Sequence, residues 1–117
     1  MNISIVIMSG VEDGAVRQFN IENGDGDGDK HHWTLTIGRR DENDLVLRND
    51  TFVSRTHAKL HQKAGQWWLE DCNSTNGTFT ENADQFFMDS RVKGTVLLDM
   101  EHMFRVGRTW LRMESNE

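Results

Sequence analysis

The sequence predicts an all-β domain, a sandwich or a barrel, from three observations. Short β-type segments recur along the 117 residues with turn residues between them. Several of these segments alternate apolar and polar side chains with period two, and only Ala83 to Arg91 approaches helical spacing. Hydrophobic residues at 36%, charged residues at 27%, four Trp and six Phe supply one packed core and argue against disorder. A chain of this length accommodates one domain, taken as residues 1–117. Proline is absent, which excludes a Pro-rich linker and makes the whole chain one unit.

Taken in order, Ile3 to Met8 holds the longest apolar run, Ile5-Val6-Ile7-Met8. That run is far too short to cross a bilayer and follows no basic leader, so neither a membrane span nor a secretion signal is expected. Ala15 to Ile21 follows as a second strand, and Asn23 to Asp29 reads NGDGDGD. Counted from Asn23, Asp25, Asp27 and Gly28 occupy calcium-loop positions, but Thr34 stands where a bidentate carboxylate is needed, so a flexible hairpin loop is expected. In Trp33 to Ile37, Trp33, Leu35 and Ile37 alternate with two threonines, giving one buried face. Leu45 to Leu47 is a short strand, while Ala58 to His61 and Gln66 to Glu70 flank Gly65 as a hairpin. The parity of Trp67 and Leu69 puts Trp67 inside and Trp68 nearer solvent. Ala83 to Arg91 is expected as loop, followed by Val96 to Leu98, Met103 to Val106 and Trp110 to Met113, the last two joined at Gly107-Arg108.

Net charge of −6 weighs against nucleic acid and anionic membranes as partners. Its distribution is uneven. Gly38 to Lys63 carries six Lys and Arg against four Asp and Glu, a locally basic segment suited to one discrete anion. The single Cys72 allows no intramolecular disulfide and, without a second thiol, argues against a zinc site, so a reducing cytoplasmic setting is expected.

Three clusters lie where a strand meets a turn: Thr36-Ile37-Gly38-Arg39, Val53-Ser54-Arg55-Thr56-His57-Ala58 and Asp71-Cys72-Asn73-Ser74-Thr75-Asn76-Gly77-Thr78. Loops at one end of a β fold converge from distant positions, so these side chains are expected to share a rim. Together they compose a cup for an oxyanion. Arg39 and Arg55 offer planar forks for phosphate oxygens, Ser54 and Thr75 offer hydroxyl donors, and Asn76 offers a donor and acceptor suited to a peptide backbone.

By the type and order of these clusters the chain resembles the forkhead-associated (FHA) domain, a family of β-sandwiches that bind phosphothreonine peptides. The resemblance covers about Leu35 to Val106 and rests on Gly38-Arg39, on SRTH at Ser54 to His57 and on STNGT at Ser74 to Thr78. It implies a two-sheet antiparallel β-sandwich of the SMAD/FHA type with recognition loops at one end. It also implies phosphate contacts from Arg39, Ser54, Arg55 and Thr75, and a hold on the peptide main chain from Asn76. Gly38, His57 and Gly77 take architectural roles, the histidine bracing the loops. One departure is the segment Leu98-Asp99-Met100-Glu101-His102, which lacks the glycine of the family's usual Gly-Asp turn.

The implied function is non-catalytic: a phosphothreonine reader in signalling, without cofactor or metal, whose partner is a protein phosphorylated by a Ser/Thr kinase, or the kinase itself. A different class of function is phosphate-independent association, or self-association, through Phe86-Phe87-Met88 or an exposed sheet face. A satellite core beneath the loop is the favoured role for those three side chains. For an enzyme, Ser54, His57 and Asp71 are the only candidate nucleophile, base and orienting acid. Ser54 and His57 share one motif with no nucleophile elbow, so no enzyme is expected.

Overall fold

In a computed structural model, residues 1–29, 31–81 and 89–115 are described. In chain order their strands are β1 (Asn2–Ile7), β2 (Val16–Asn20), β3 (Asp27–Gly28), β4 (His32–Gly38), β5 (Leu45–Val46), β6 (Ala58–Lys63), β7 (Gln66–Asp71), β8 (Thr78–Glu81), β9 (Asp89–Arg91), β10 (Thr95–Leu98), β11 (Met103–Val106) and β12 (Thr109–Glu114). One sheet runs β2-β1-β12-β11-β8-β9 and the other β10-β7-β6-β4-β3, with β5 attached to β4. The two sheets form the expected sandwich. All pairings are antiparallel except β4 with β5, where Ile37 lies opposite Leu45 and Gly38 opposite Val46. Among the described residues, no helix is long and apolar enough to cross a membrane.

Alternation along each strand decides what the core contains. Ile3, Ile5 and Ile7 of β1, Trp33, Leu35 and Ile37 of β4, Leu60 of β6, Leu69 of β7, Phe104 and Val106 of β11, and Leu111 and Met113 of β12 are all buried. These inward rows interdigitate between the sheets, the arrangement that removes most apolar area from water. The indole rings of Trp33 and Trp67 meet at 5.9 Å between centroids, tilted by 57°. Trp67 is the buried member of the tryptophan pair at 5% exposure, as its parity predicts, while Trp68 is half-buried on the outer face. In single-tryptophan variants, iodide is expected to quench Trp68 more strongly than Trp67. The reverse order would put β7 one residue out of register.

Three segments differ from the sequence expectation. Asn23 to Asp29 carries more structure than a flexible loop, because the 3-10 turn Ile21–Asn23 enters it and β3 pairs with β4. Two of its three aspartates are engaged by the protein: the Asn20 N–H donates to Asp25 Oδ2, and the His31 and His32 N–H groups donate to Asp29 Oδ1. Part of the expected loop Ala83 to Arg91 is strand, since Asp89–Arg91 pairs with β8. Phe86, Phe87 and Met88, the candidate interaction or satellite-core segment, lie outside the described residues. The glycine-free segment between β10 and β11 is no hairpin: it carries the chain from one sheet to the other, turning with Glu101 at φ 70°, a left-handed conformation that costs a residue with a Cβ roughly 1–2 kcal/mol.

Candidate functional site

The site is built where β4 and β7 end and β6 and β8 begin. At the end of β4 the chain must pass against the loop preceding β6, and Gly38 makes this possible. A Cβ there would lie 2.2 Å from the Arg55 carbonyl oxygen and 2.6 Å from Asn43 Nδ2, closer than real contacts allow. The close approach lets the Arg39 N–H donate to the Ser54 carbonyl at 3.0 Å, and the His57 N–H to the Ile37 carbonyl at 2.8 Å. Asn43 fastens the same junction, its buried amide donating to the carbonyls of Arg55 at 2.7 Å and Arg40 at 2.9 Å.

His57 joins the second cluster to the third. Fully buried, it accepts the Ser54 N–H at Nδ1 (3.0 Å) and donates from Nε2 to the Gly77 carbonyl (2.8 Å). Those two bonds require the neutral tautomer protonated at Nε2. The third cluster closes on itself: Ser74 and Thr78 donate hydroxyl protons to Asp71 Oδ1 at 2.6 and 2.7 Å, and the Gly77 N–H donates to Ser74 Oγ at 3.0 Å. Gly77 turns the chain at φ 92°, a conformation unfavourable to residues with a Cβ.

The sequence-predicted residues therefore meet. The Thr75 N–H donates to Ser54 Oγ at 3.3 Å, and Asn76 Nδ2 donates to the Phe52 carbonyl at 3.0 Å, tying the loop before β6 to the loop before β8. Arg39, Arg55, Thr75 and Asn76 are exposed on this rim and Ser54 is half-buried, whereas Gly38, His57 and Gly77 are buried beneath it. Charge pairing is selective. Arg40 is 3.8 Å from Glu42 and Arg48 is 2.9 Å from Asp41, but among the described residues neither Arg39 nor Arg55 is paired with a carboxylate. Two guanidinium groups free of carboxylate partners among the described residues thus stand on the rim with two hydroxyls, an arrangement suited to an oxyanion.

Ser54, His57 and Asp71 do not assemble into a catalytic relay. Both nitrogens of His57 are occupied by backbone groups, and Asp71 serves Ser74 and Thr78. Burial opposes the Asp71 charge, yet the hydrogen bonds from Ser74 and Thr78 outweigh it and hold the carboxyl below its ordinary value.

Several contributors escaped sequence reasoning. Asn43 read only as part of a charged loop. Asp50 accepts the Phe52 N–H at Oδ1, and at Oδ2 the Arg108 N–H and the Thr109 hydroxyl, joining the loop before β6 to the last hairpin. The Asp-Thr-Phe step, in which an Asp side chain accepts an N–H two residues on, was its available signal. Arg108 also covers the Phe52 ring, its guanidinium carbon 3.7 Å from the centroid.

Burial pushes the His57 imidazole below its ordinary value, with the Gly77 hydrogen bond acting in the opposite direction. Its unfolded value is about 6.5. The native state thus binds a proton less readily than the unfolded chain, and the stability this confers is present above about pH 6.5 and lost as pH falls through the lower folded value. Protonated Nδ1 would also confront the Ser54 N–H donor. Melting temperature is expected to fall on acidification from pH 7.5 to 5.5, with the His57 ring titrating below about 6.5 by NMR. A ring that titrates above that value would reverse the sign.

A two-sheet sandwich whose end loops present unpaired arginines, hydroxyls and an amide on one rim defines a loop-borne recognition domain. The chain belongs to the FHA domain family, whose pattern matches residues 35–101. Over 79 residues it is 34% identical to the FHA domain-containing protein FhaB of Mycobacterium tuberculosis, covering 68% of this chain and 46% of FhaB. The chain therefore spans about half the length of the curated relatives it matches. Its fold is similar to that of the FHA domain of CT664 from Chlamydia trachomatis, with a TM-score of 0.75 and 19% identity over the whole of both chains. It is also similar to an FHA domain from a structural and functional analysis of phosphothreonine-dependent FHA domain interactions, with a TM-score of 0.71 and 23% identity over 100% of this chain and 99% of that one.

Proposed function

We propose that this domain is a non-catalytic reader of phosphothreonine, recruiting a protein marked by a Ser/Thr kinase. The observation that carries the reading is the pair of guanidinium groups, Arg39 and Arg55, without a carboxylate partner among the described residues, on the rim shared by Ser54, Thr75 and Asn76. In this reading Arg39 and Arg55 grip phosphate oxygens, and the Ser54 and Thr75 hydroxyls complete the cup. Asn76 spends one amide N–H on Phe52 and keeps the other N–H and Oδ1 for the main chain of the peptide. Family membership and the phosphothreonine-dependent interactions of a structural neighbour support the assignment. Burial and the neighbouring Glu70 raise the Cys72 thiol above its ordinary value and keep it protonated.

Phosphothreonine carries about −1.5 to −2 charges at neutral pH, and hydrogen bonds to charged groups contribute roughly 1.5–3 kcal/mol each. Two or three such contacts dominate a micromolar complex of about −8 kcal/mol. Phosphopeptide-library selection would identify a binding sequence, and calorimetry on that peptide with and without its phosphate tests the reading. Affinity is expected only for the phosphorylated form. Equal affinity for both would favour phosphate-independent association.

A further inference from the structure

Away from the recognition rim, the outer face of the second sheet brings two histidines together. Side chains of one parity on β4, β6 and β7 share this face: His32 and Thr34, His61 and Lys63, Trp68 and Glu70. His32 lies six residues before Gly38 along β4, about 20 Å from the rim at a rise of roughly 3.3 Å per residue. His32 Nε2 and His61 Nδ1 are 3.3 Å apart. His61 Nε2 is 2.8 Å from Glu70 Oε1, which as a carboxylate only accepts, so Nε2 carries the proton, and in the neutral imidazole Nδ1 presents a lone pair. That lone pair faces His32 Nε2, with Thr34 Oγ1 2.8 Å away.

The geometry points to a zinc site on this face, with His32 Nε2 and His61 Nδ1 as its two protein ligands and Glu70 orienting His61. Tetrahedral zinc with Zn–N bonds of about 2.0–2.1 Å holds two nitrogens about 3.3 Å apart, matching the observed separation. A square-planar ion would need its neighbouring nitrogens closer, about 2.9 Å at the same bond length. The carboxylate on the far ring nitrogen of His61 is the partner that ligating histidines commonly have, fixing tautomer and ring orientation. Among the described residues no group of three or more His, Cys, Asp and Glu is placed to hold a metal. The site thus supplies two ligands, leaving two positions for solvent, the Thr34 hydroxyl or a group on a partner. It needs no thiol, which is why the lone cysteine gave no hint of it. Lys63, Trp68 and Thr95 border the same hollow.

Calorimetric titration of the chelator-treated 117-residue chain with zinc chloride tests the assignment. One ion per chain is expected, with affinity reduced at least tenfold by His32→Ala or His61→Ala and about tenfold by Glu70→Gln. His102→Ala, on the connection between β10 and β11, is expected to leave it unchanged. Imidazole NMR of the wild-type chain gives a readout independent of variant folding: zinc should shift the His32 and His61 ring signals. No saturable binding, undiminished binding by a folded His32→Ala variant, or shifts confined to other histidines would overturn the site and show the 3.3 Å contact to be a hydrogen bond alone.

Discussion

Arg39→Ala is expected to lower phosphothreonine-peptide affinity about a hundredfold while leaving the domain folded. The side chain is exposed and unpaired among the described residues, and the main-chain bond from Arg39 to the Ser54 carbonyl survives truncation. Surface substitutions of this kind usually change stability by no more than about 0.5 kcal/mol. The loss on the binding side is larger, because a bidentate fork to phosphate involves two charge-assisted bonds and each 1.4 kcal/mol is about tenfold in affinity. Arg39→Lys keeps the charge but not the fork, so about tenfold of the loss should remain. Arg40→Ala separates a general charge effect from this contact, since Arg40 already faces Glu42, and should change affinity by no more than about twofold. Net charge of −6 makes long-range attraction weak, so binding should fall only moderately with salt. Calorimetry decides: equal affinity of wild type and a folded Arg39→Ala variant would remove phosphate reading from this rim.

What was legible in the sequence was whatever a period of two or a compact motif encodes. The inward rows of β4, β6 and β7 could be read from Trp33, Leu35, Ile37, Leu60 and Leu69, and the choice of Trp67 over Trp68 followed from the same parity. The three clusters announced the rim because each packs several polar residues into a few positions. What stayed hidden depends on contacts across long sequence distances. Asn43 reaches the Arg55 carbonyl twelve residues away, and Asp50 reaches Thr109 fifty-nine residues away; the local Asp-Thr-Phe step marks a turn at Asp50 but does not disclose the distant partner. β3 was missed because Asp and Gly have low strand propensity; it exists through its pairing with Trp33 and Thr34. The His32–His61 contact likewise needs the register of β4 against β6, which a single strand pattern does not contain.

The same long-range logic makes His57 the residue whose loss should cost most. Its imidazole sits at 0% exposure and satisfies the Ser54 N–H and the Gly77 carbonyl, on two of the three loops carrying the proposed phosphate ligands. His57→Ala strands both groups, at about 1–3 kcal/mol for each buried polar group left without a partner, and adds a cavity where the ring was. The expected destabilisation is about 3–5 kcal/mol, a large fraction of the 5–15 kcal/mol that holds a domain folded. For a chain of this size the melting temperature should fall by at least about 10 °C. His57→Gln can restore one of the two bonds and should recover part of the loss. Binding provides the second readout. At a temperature where circular dichroism shows the Ala variant still folded, phosphopeptide affinity should remain below wild type, because Ser54 and Thr75 are no longer held against each other through Gly77. A lowered melting temperature with wild-type affinity would confine His57 to stability, and an unchanged melting temperature would mean that the loops hold their shape without it.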